Sequence, residues 1–155
     1  MQCFEEKMLK IIWKKLLISK GNQELCRLFE LKSLEEIYKI KRFASEDHSE
    51  QYSLFGIVYF LTDFCLEQKN FPENKRLSAI LNSEQFKGYK VAKTNLSVVG
   101  CDQILKSELG YEHDHTLLCV QQMIKVRSKV VCVAISYLDA EKYQLQFDKV
   151  LDLMW

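Results

Sequence analysis

The sequence has few of the residues that interrupt regular secondary structure, with 5 glycines and 1 proline among 155 residues. This scarcity argues against long glycine-rich catalytic loops, collagen-like segments and proline-rich linkers. The phosphate-binding patterns GxxxxGKS/T and GxGxxG are absent, and so are the catalytic patterns GxSxG and HExxH. The commonest sequence motifs of enzymes are therefore missing. This absence favours a protein without catalytic activity.

No CxxC pair occurs among the 6 cysteines, which are widely scattered along the chain. The N-terminus has no pattern of a secretory signal, because lysines interrupt its apolar residues. We therefore predict reduced thiols and a cytoplasmic or nuclear location. The most apolar run, residues 52–66, is too short to span a bilayer and contains Asp63, so no membrane span is expected.

The length suits a single domain over residues 1–155, with a helical part over about 1–83 and a mixed part over about 84–155. An apolar content of 48% and a charged content of 28% are typical of globular proteins. The net charge of +1 gives a much weaker field than that of a dedicated nucleic-acid binder.

Apolar periodicity predicts three helices in the first part of the chain. They are a helix over residues 4–19, a short helix capped by Asn22, and a helix that begins at Ser33 in a capping box. The run over about 52–67 is interpreted as a helix buried on nearly all sides, with Phe60 on its thin exposed stripe. We expect this buried helix to be the centre of the fold.

The sequence patterns that are typical of β-strands lie in the C-terminal part of the chain. Residues 130–137 form a β-branched apolar run that is typical of a strand covered on both faces. Residues 143–148 alternate between apolar and polar side chains, as a half-exposed strand does. The predicted fold class is α+β, a mainly helical cluster with a small C-terminal antiparallel β-sheet or hairpin over about 130–148.

The segment between these parts is less regular. A short helix is predicted from Pro72, and Asp102 is predicted to cap another that ends at Gly110. Residues 84–100 and 116–126 fit a strand or a helix, and periodicity does not decide between them.

The run Glu112-His113-Asp114-His115 places four metal-ligand types in a row. An extended backbone would point His113 and His115 to the same side. Structural zinc needs four converging ligands, however, and no second pair stands at a usable spacing. A metal-dependent hydrolase using His113, Asp114 and His115 is therefore the third hypothesis. A polar surface loop is favoured, with no metal and no cofactor.

Cys101 is the one cysteine whose setting resembles that of a nucleophile, because it precedes a predicted helix N-terminus. The carboxylate of the adjacent Asp102 would raise the thiol pKa and work against activation. We therefore predict an inert thiol and no catalytic residue.

Two basic stretches, residues 38–42 and 125–129, support a second hypothesis, association with nucleic acid. Basic side chains mixed with aromatic or β-branched ones can follow a phosphate backbone. The first stretch falls at a predicted helix C-terminus, where the helix dipole alone favours cations. The candidate residues are Lys39, Lys41, Arg42, Lys125, Arg127 and Lys129.

The leading hypothesis is a non-enzymatic protein–protein interaction or assembly subunit of an intracellular complex. Large aromatic residues near polar neighbours are typical of interface hot spots. An unpaired strand edge over 143–148 could also accept a strand from a partner. The candidate partner-binding residues are Trp13, Phe60, Tyr143, Phe147 and Trp155.

Overall fold

A computed structural model describes residues 2–3, 10–45, 54–63, 77–140 and 143–144. Its main feature is an antiparallel sheet of six strands in the order β2-β3-β4-β7-β6-β5, and a separate parallel pair joins β1 to β8. The strands are β1 (Gln2–Cys3), β2 (Lys10–Lys20), β3 (Glu36–Ser45), β4 (Leu54–Leu61), β5 (Tyr89–Gly100), β6 (Thr116–Val126), β7 (Lys129–Asp139) and β8 (Tyr143–Gln144).

Short helices pack on both faces of the large sheet. They are α1 (Gln23–Leu28), α2 (Leu77–Leu81), a 3-10 turn (Glu84–Phe86) and α3 (Gln103–Leu109). On one face, called here the α2 face, α2 and the 3-10 turn pack on the sheet. On the opposite face, called the α1/α3 face, α1 packs at one end and α3 at the other. None of the described helices has the length and hydrophobicity that a transmembrane helix requires.

The expected helical cluster is wrong, because the segments predicted as helices over 4–19, from Ser33 and over 52–67 contain strands β2, β3 and β4. In β3 the apolar residues Ile37, Ile40 and Phe43 recur every third position, which imitates a helical face. Ile37 and Phe43 belong to clusters on the α1/α3 face, whereas Ile40 belongs to the cluster on the α2 face. The three-residue spacing of these apolar residues therefore arises from a strand that is covered on both faces, and not from a helix.

Strand β4 lies in the middle of the sheet, between β3 and β7. Its residues are almost continuously apolar because both of its faces are covered, which sequence periodicity cannot distinguish from a buried helix. The prediction that Phe60 lies on an exposed stripe is also wrong. Phe60 is 0% exposed, and its ring packs 5.4 Å from that of Phe86.

The predicted strand over 130–137 is confirmed by β7, whose residues are mostly buried. The hairpin over 130–148 is wrong, because β7 pairs with β4 and β6, while Tyr143 and Gln144 pair with β1. Residues 84–100 and 116–126, which the sequence left open, contain the antiparallel strands β5 and β6. The remainder of the predicted second hairpin strand lies outside the described residues.

The ends of α1 and α3 agree with the capping residues that were predicted from the sequence. Asn22 Oδ1 accepts a hydrogen bond from the backbone N–H of Leu25 at 2.9 Å, and Asp102 Oδ1 accepts one from Leu105 at 2.8 Å. Gly110 ends α3 with a φ of 74°, a left-handed conformation that glycine adopts without strain. These three capping predictions are confirmed.

Removing the Phe60 ring should destabilise the protein by about 3–5 kcal/mol, because a Phe60→Ala change leaves a cavity in the largest buried cluster. The matched control is Val98→Ala on the edge strand β5, where the side chain is 67% exposed, and it should cost less than about 0.5 kcal/mol. Urea unfolding of both variants measures the two free energies. Equal losses would contradict the burial of Phe60.

Candidate functional site

The α1/α3 face is well buried at its two ends and half exposed in its middle. At one end α1 packs over Ile37 and Leu61, and at the other α3 packs over Phe55 and Leu117. Between these helices the side chains on the sheet are neither buried nor fully exposed. We call this strip the groove, and its residues are Lys39, Lys41, Ile57, Tyr59, Cys119, Gln121, Ile135 and Tyr137.

Strand pairing explains why these residues, which are far apart in sequence, form one surface. Lys41 lies opposite Ile57, Ile57 opposite Ile135, and Ile135 opposite Gln121, so one row crosses four strands. Directly opposite residues of antiparallel strands point to the same face. The floor of the groove therefore places two apolar side chains between a lysine and an amide.

One side of the groove is basic. Lys41 Nζ lies 3.0 Å from Glu108 Oε1, and this ion pair joins β3 to α3. Lys39 Nζ lies 5.9 Å from the centre of the Tyr59 ring, within the range of a cation–π contact. Lys39 forms no ion pair with any residue of the described part of the chain.

The other side of the groove carries hydroxyl groups and a thiol. Ser97 on β5 and Tyr137 on β7 lie directly opposite Cys119 on β6, so their hydroxyl groups are neighbours of the Cys119 thiol. The ring of Tyr137 also stacks on that of Phe55, with the ring centres 6.1 Å apart. These contacts fix the position of the Tyr137 ring at the end of the groove near α3.

Partial burial changes the protonation of these groups in a consistent way. Desolvation raises the pKa of Tyr59, raises that of Cys119, and raises that of Tyr137 to about 12. Desolvation and the nearby charge of Lys41 lower the pKa of Lys39. Each shift disfavours the charged form, as a poorly hydrated surface requires. Charged partners in the groove would therefore interact more strongly than in open water.

A separate, concave feature lies where β5 ends and β6 begins. It is a hollow of about 520 Å³ that is lined by Cys101, Asp114 and His115 among others. His115 Nδ1 lies 3.4 Å from the buried carboxylate of Asp139, and its ring stacks on that of Tyr111 at 4.1 Å. The structure thus brings Cys101 and His115 to one place, although the sequence treated them separately.

The hollow does not have the properties of a metal site or an activated thiol. Asp114 pairs with Lys106, and His113 is exposed to solvent. No cluster of three or more metal-ligand side chains occurs among the residues that the structure describes. Burial, the largest influence, raises the pKa of the Cys101 thiol, which keeps it protonated and unreactive.

The six residues of the nucleic-acid hypothesis do not form one surface. Arg42 is buried on the α2 face, opposite to the face that carries Lys39 and Lys41. Lys125 pairs with Glu30 at 3.7 Å. The other two residues flank the turn between β6 and β7, where Lys129 pairs with Asp63 at 3.0 Å and Arg127 has a φ of 58°.

The partner-binding residues are also dispersed. Trp13 lies on β2 and Tyr143 on β8, in different sheets, and Phe60 is in the core. Phe147 and Trp155 lie outside the described residues. Sequence reasoning missed Tyr59, Gln121 and Tyr137 of the groove. The available signal was the two-residue spacing of Lys39 and Lys41, which places both on one face once their segment is known to be a strand.

Comparison with known proteins gives a consistent result for the fold. The C-terminal domain of YurK from Bacillus subtilis matches with a TM-score of 0.66 and 11% identity, over 88% of this chain and 92% of that one. The ligand-binding domain of a regulator assigned to the GntR family, from Bordetella bronchiseptica, matches with 0.62 and 16%, over 90% and 88%. A GntR-family transcriptional regulator from Bacillus cereus matches with 0.67 and 13%, over 90% and 95%.

At these identities the similarity shows the fold alone. No family model and no curated protein matches the chain. The hypothesis of an assembly subunit is nevertheless contradicted, since several of the solved structures that share this fold are described as transcriptional regulators. The helical cluster on which that hypothesis depended is replaced in the described residues by the six-stranded sheet.

The raised tyrosine pKa values predict a loss of stability at alkaline pH. Between the ordinary pKa of 10 and its folded value of about 12, Tyr137 keeps its proton in the folded protein and loses it in the unfolded chain. The free energy of unfolding should therefore fall as pH rises through this interval, by at most about 2.7 kcal/mol for this residue. Chemical unfolding at several pH values measures the slope, which Tyr137→Phe should flatten. An unchanged slope in that variant would contradict the assignment.

Proposed function

We propose that this chain is a ligand-sensing domain of a transcriptional regulator and that it binds a small molecule in the groove. The observation that carries the proposal is the half-exposed floor of Ile57, Ile135, Lys41 and Gln121, in the middle of a face whose two ends are buried under α1 and α3. Small-molecule sites are typically concave and apolar, with a few polar groups that fix the orientation of the ligand.

The fold supports the same proposal from an independent direction. Among the matching structures are the ligand-binding domain from Bordetella bronchiseptica and the effector domain of PhnF from Mycobacterium smegmatis, which matches with a TM-score of 0.62. A fold does not by itself imply a function, so the assignment depends on the groove. Because the matching proteins come from bacteria, the proposal places this chain in the cytoplasm and not in a nucleus.

DNA contact through the two basic stretches forms no part of the proposal. Lys39 and Lys41 face the groove between two helices, and Arg42 lies on the opposite face. A surface that follows a phosphate backbone needs its cations side by side and accessible. The groove lysines are better placed to contact a small ligand.

A thermal-unfolding screen against a library of small metabolites tests this proposal. A ligand at about 100 times its dissociation constant should stabilise the protein by about 2.7 kcal/mol, which corresponds to a rise of roughly 5–10 °C in Tm. The blocking variants Ile135→Trp and Gln121→Trp should abolish the rise, because the indole would fill the floor of the groove. Circular dichroism checks that both variants remain folded.

The matched control is Val98→Trp, which adds the same indole at an exposed position of β5 and should leave the rise in Tm unchanged. Ligands whose effect persists in both blocking variants would place binding elsewhere. A library that stabilises neither the wild-type protein nor the control would contradict a sensing role for this domain.

A further inference from the structure

Two lysines of the groove differ in how their charges are balanced. Lys41 is neutralised by Glu108 of α3, with both side chains about one quarter exposed, at 24% and 27%. Lys39, two residues away on the same face of β3, forms no ion pair with any described residue, and the more distant charge of Glu108 only partly opposes the lowering of its pKa. A half-buried cation without a partner costs free energy, as the lowered pKa of Lys39 indicates.

The carboxylate of Glu108 marks a position in the groove where an anion is stable. Glu108 belongs to the last turn of α3, where the helix dipole does not favour a negative charge. The ion pair with Lys41 is the one salt bridge between α3 and the sheet within the described residues. A second anion in the groove could form an ion pair with Lys39. It could also replace Glu108 as the ion-pair partner of Lys41.

We infer that the groove binds an anionic ligand, whose carboxylate or phosphate group is held by Lys39 and displaces Glu108 from Lys41. This inference depends on the proposed function and adds the chemical class of the ligand and its link to α3. Displacement of Glu108 removes the ion pair between α3 and β3, so occupancy of the groove changes how firmly the end of α3 is held. A ligand acts on a conformational equilibrium through such differences in contacts.

The rest of the groove defines the body of the ligand. Ile57 and Ile135 form an apolar floor between the rings of Tyr59 and Tyr137. Aromatic faces and aliphatic side chains favour a compact, flat body. The amide of Gln121 offers both a donor and an acceptor for one further polar substituent. The groove thus fits a small ring that carries one acidic group.

Matched probes test the charge requirement directly. Benzoate and phenyl phosphate carry the two acidic groups on the same ring, and benzamide replaces the carboxylate by a neutral amide of similar shape. Titration of each probe is followed by the amide chemical shifts of Lys39, Tyr59 and Gln121. We expect benzoate or phenyl phosphate to bind at least about tenfold more tightly than benzamide, and the stronger of the two identifies the preferred acid.

Variants test the roles of the two lysines and of Glu108. Lys39→Met should weaken binding of the preferred acid by at least about tenfold, because it keeps the aliphatic length and removes the charge. Glu108→Gln should strengthen binding by about fivefold or more, because it removes the competing carboxylate. The matched control Glu30→Gln breaks the ion pair with Lys125, which lies outside the groove, and should leave the affinity unchanged.

The outcomes separate this inference from the proposed function. Equal affinities for benzoate, phenyl phosphate and benzamide, or no shift of the groove amides with any probe, would overturn the anion requirement. Unchanged affinity in Glu108→Gln would overturn the displacement of Glu108. The sensing role would survive either result if the metabolite screen still yielded a ligand that Ile135→Trp excludes.

Discussion

The structure depends on covering both faces of a six-stranded antiparallel sheet. The four inner strands have neighbours on both sides, so their backbone groups are paired, and their side chains must be buried on each face. The chain achieves this cover in the described residues with three short helices and one 3-10 turn. The amount of cover is therefore limited, and its distribution over the sheet decides which parts remain accessible.

The α1/α3 face shows the consequence of limited cover. Helices of six and seven residues span only about 9–10 Å each, so α1 and α3 together cannot cover a strand of eleven residues. The half-exposed middle of this face is the groove. Because the rows of paired strands cross it, residues from four strands meet there, and the rigid sheet holds them in fixed positions.

The same partial cover sets the electrostatics of the groove. Water reaches its side chains incompletely, so the charged forms of Lys39, Tyr59 and Tyr137 are all disfavoured. The hollow beside β6 differs, because its ionisable groups are largely matched within the protein, Asp139 with His115 and Asp114 with Lys106. An imbalance of charge in a poorly hydrated place favours ligand binding more than a set of satisfied pairs does.

The sequence by itself determined features that depend on a few neighbouring residues. The caps at Asn22 and Asp102, the left-handed end of α3 at Gly110, and the buried strand after residue 129 follow from local hydrogen bonding and from β-branched side chains. Such signals need no knowledge of distant contacts, so they could be predicted correctly.

The tertiary structure alone decided the rest. A strand covered on both faces places apolar residues at odd and even positions, so the pattern of Ile37, Ile40 and Phe43 resembled a helix until the covering elements were known. The groove could not be predicted for the same reason, since its members are brought together by strand pairing across more than ninety residues of sequence. Local propensity fixes where helices are capped, whereas long-range pairing fixes which side chains share a surface.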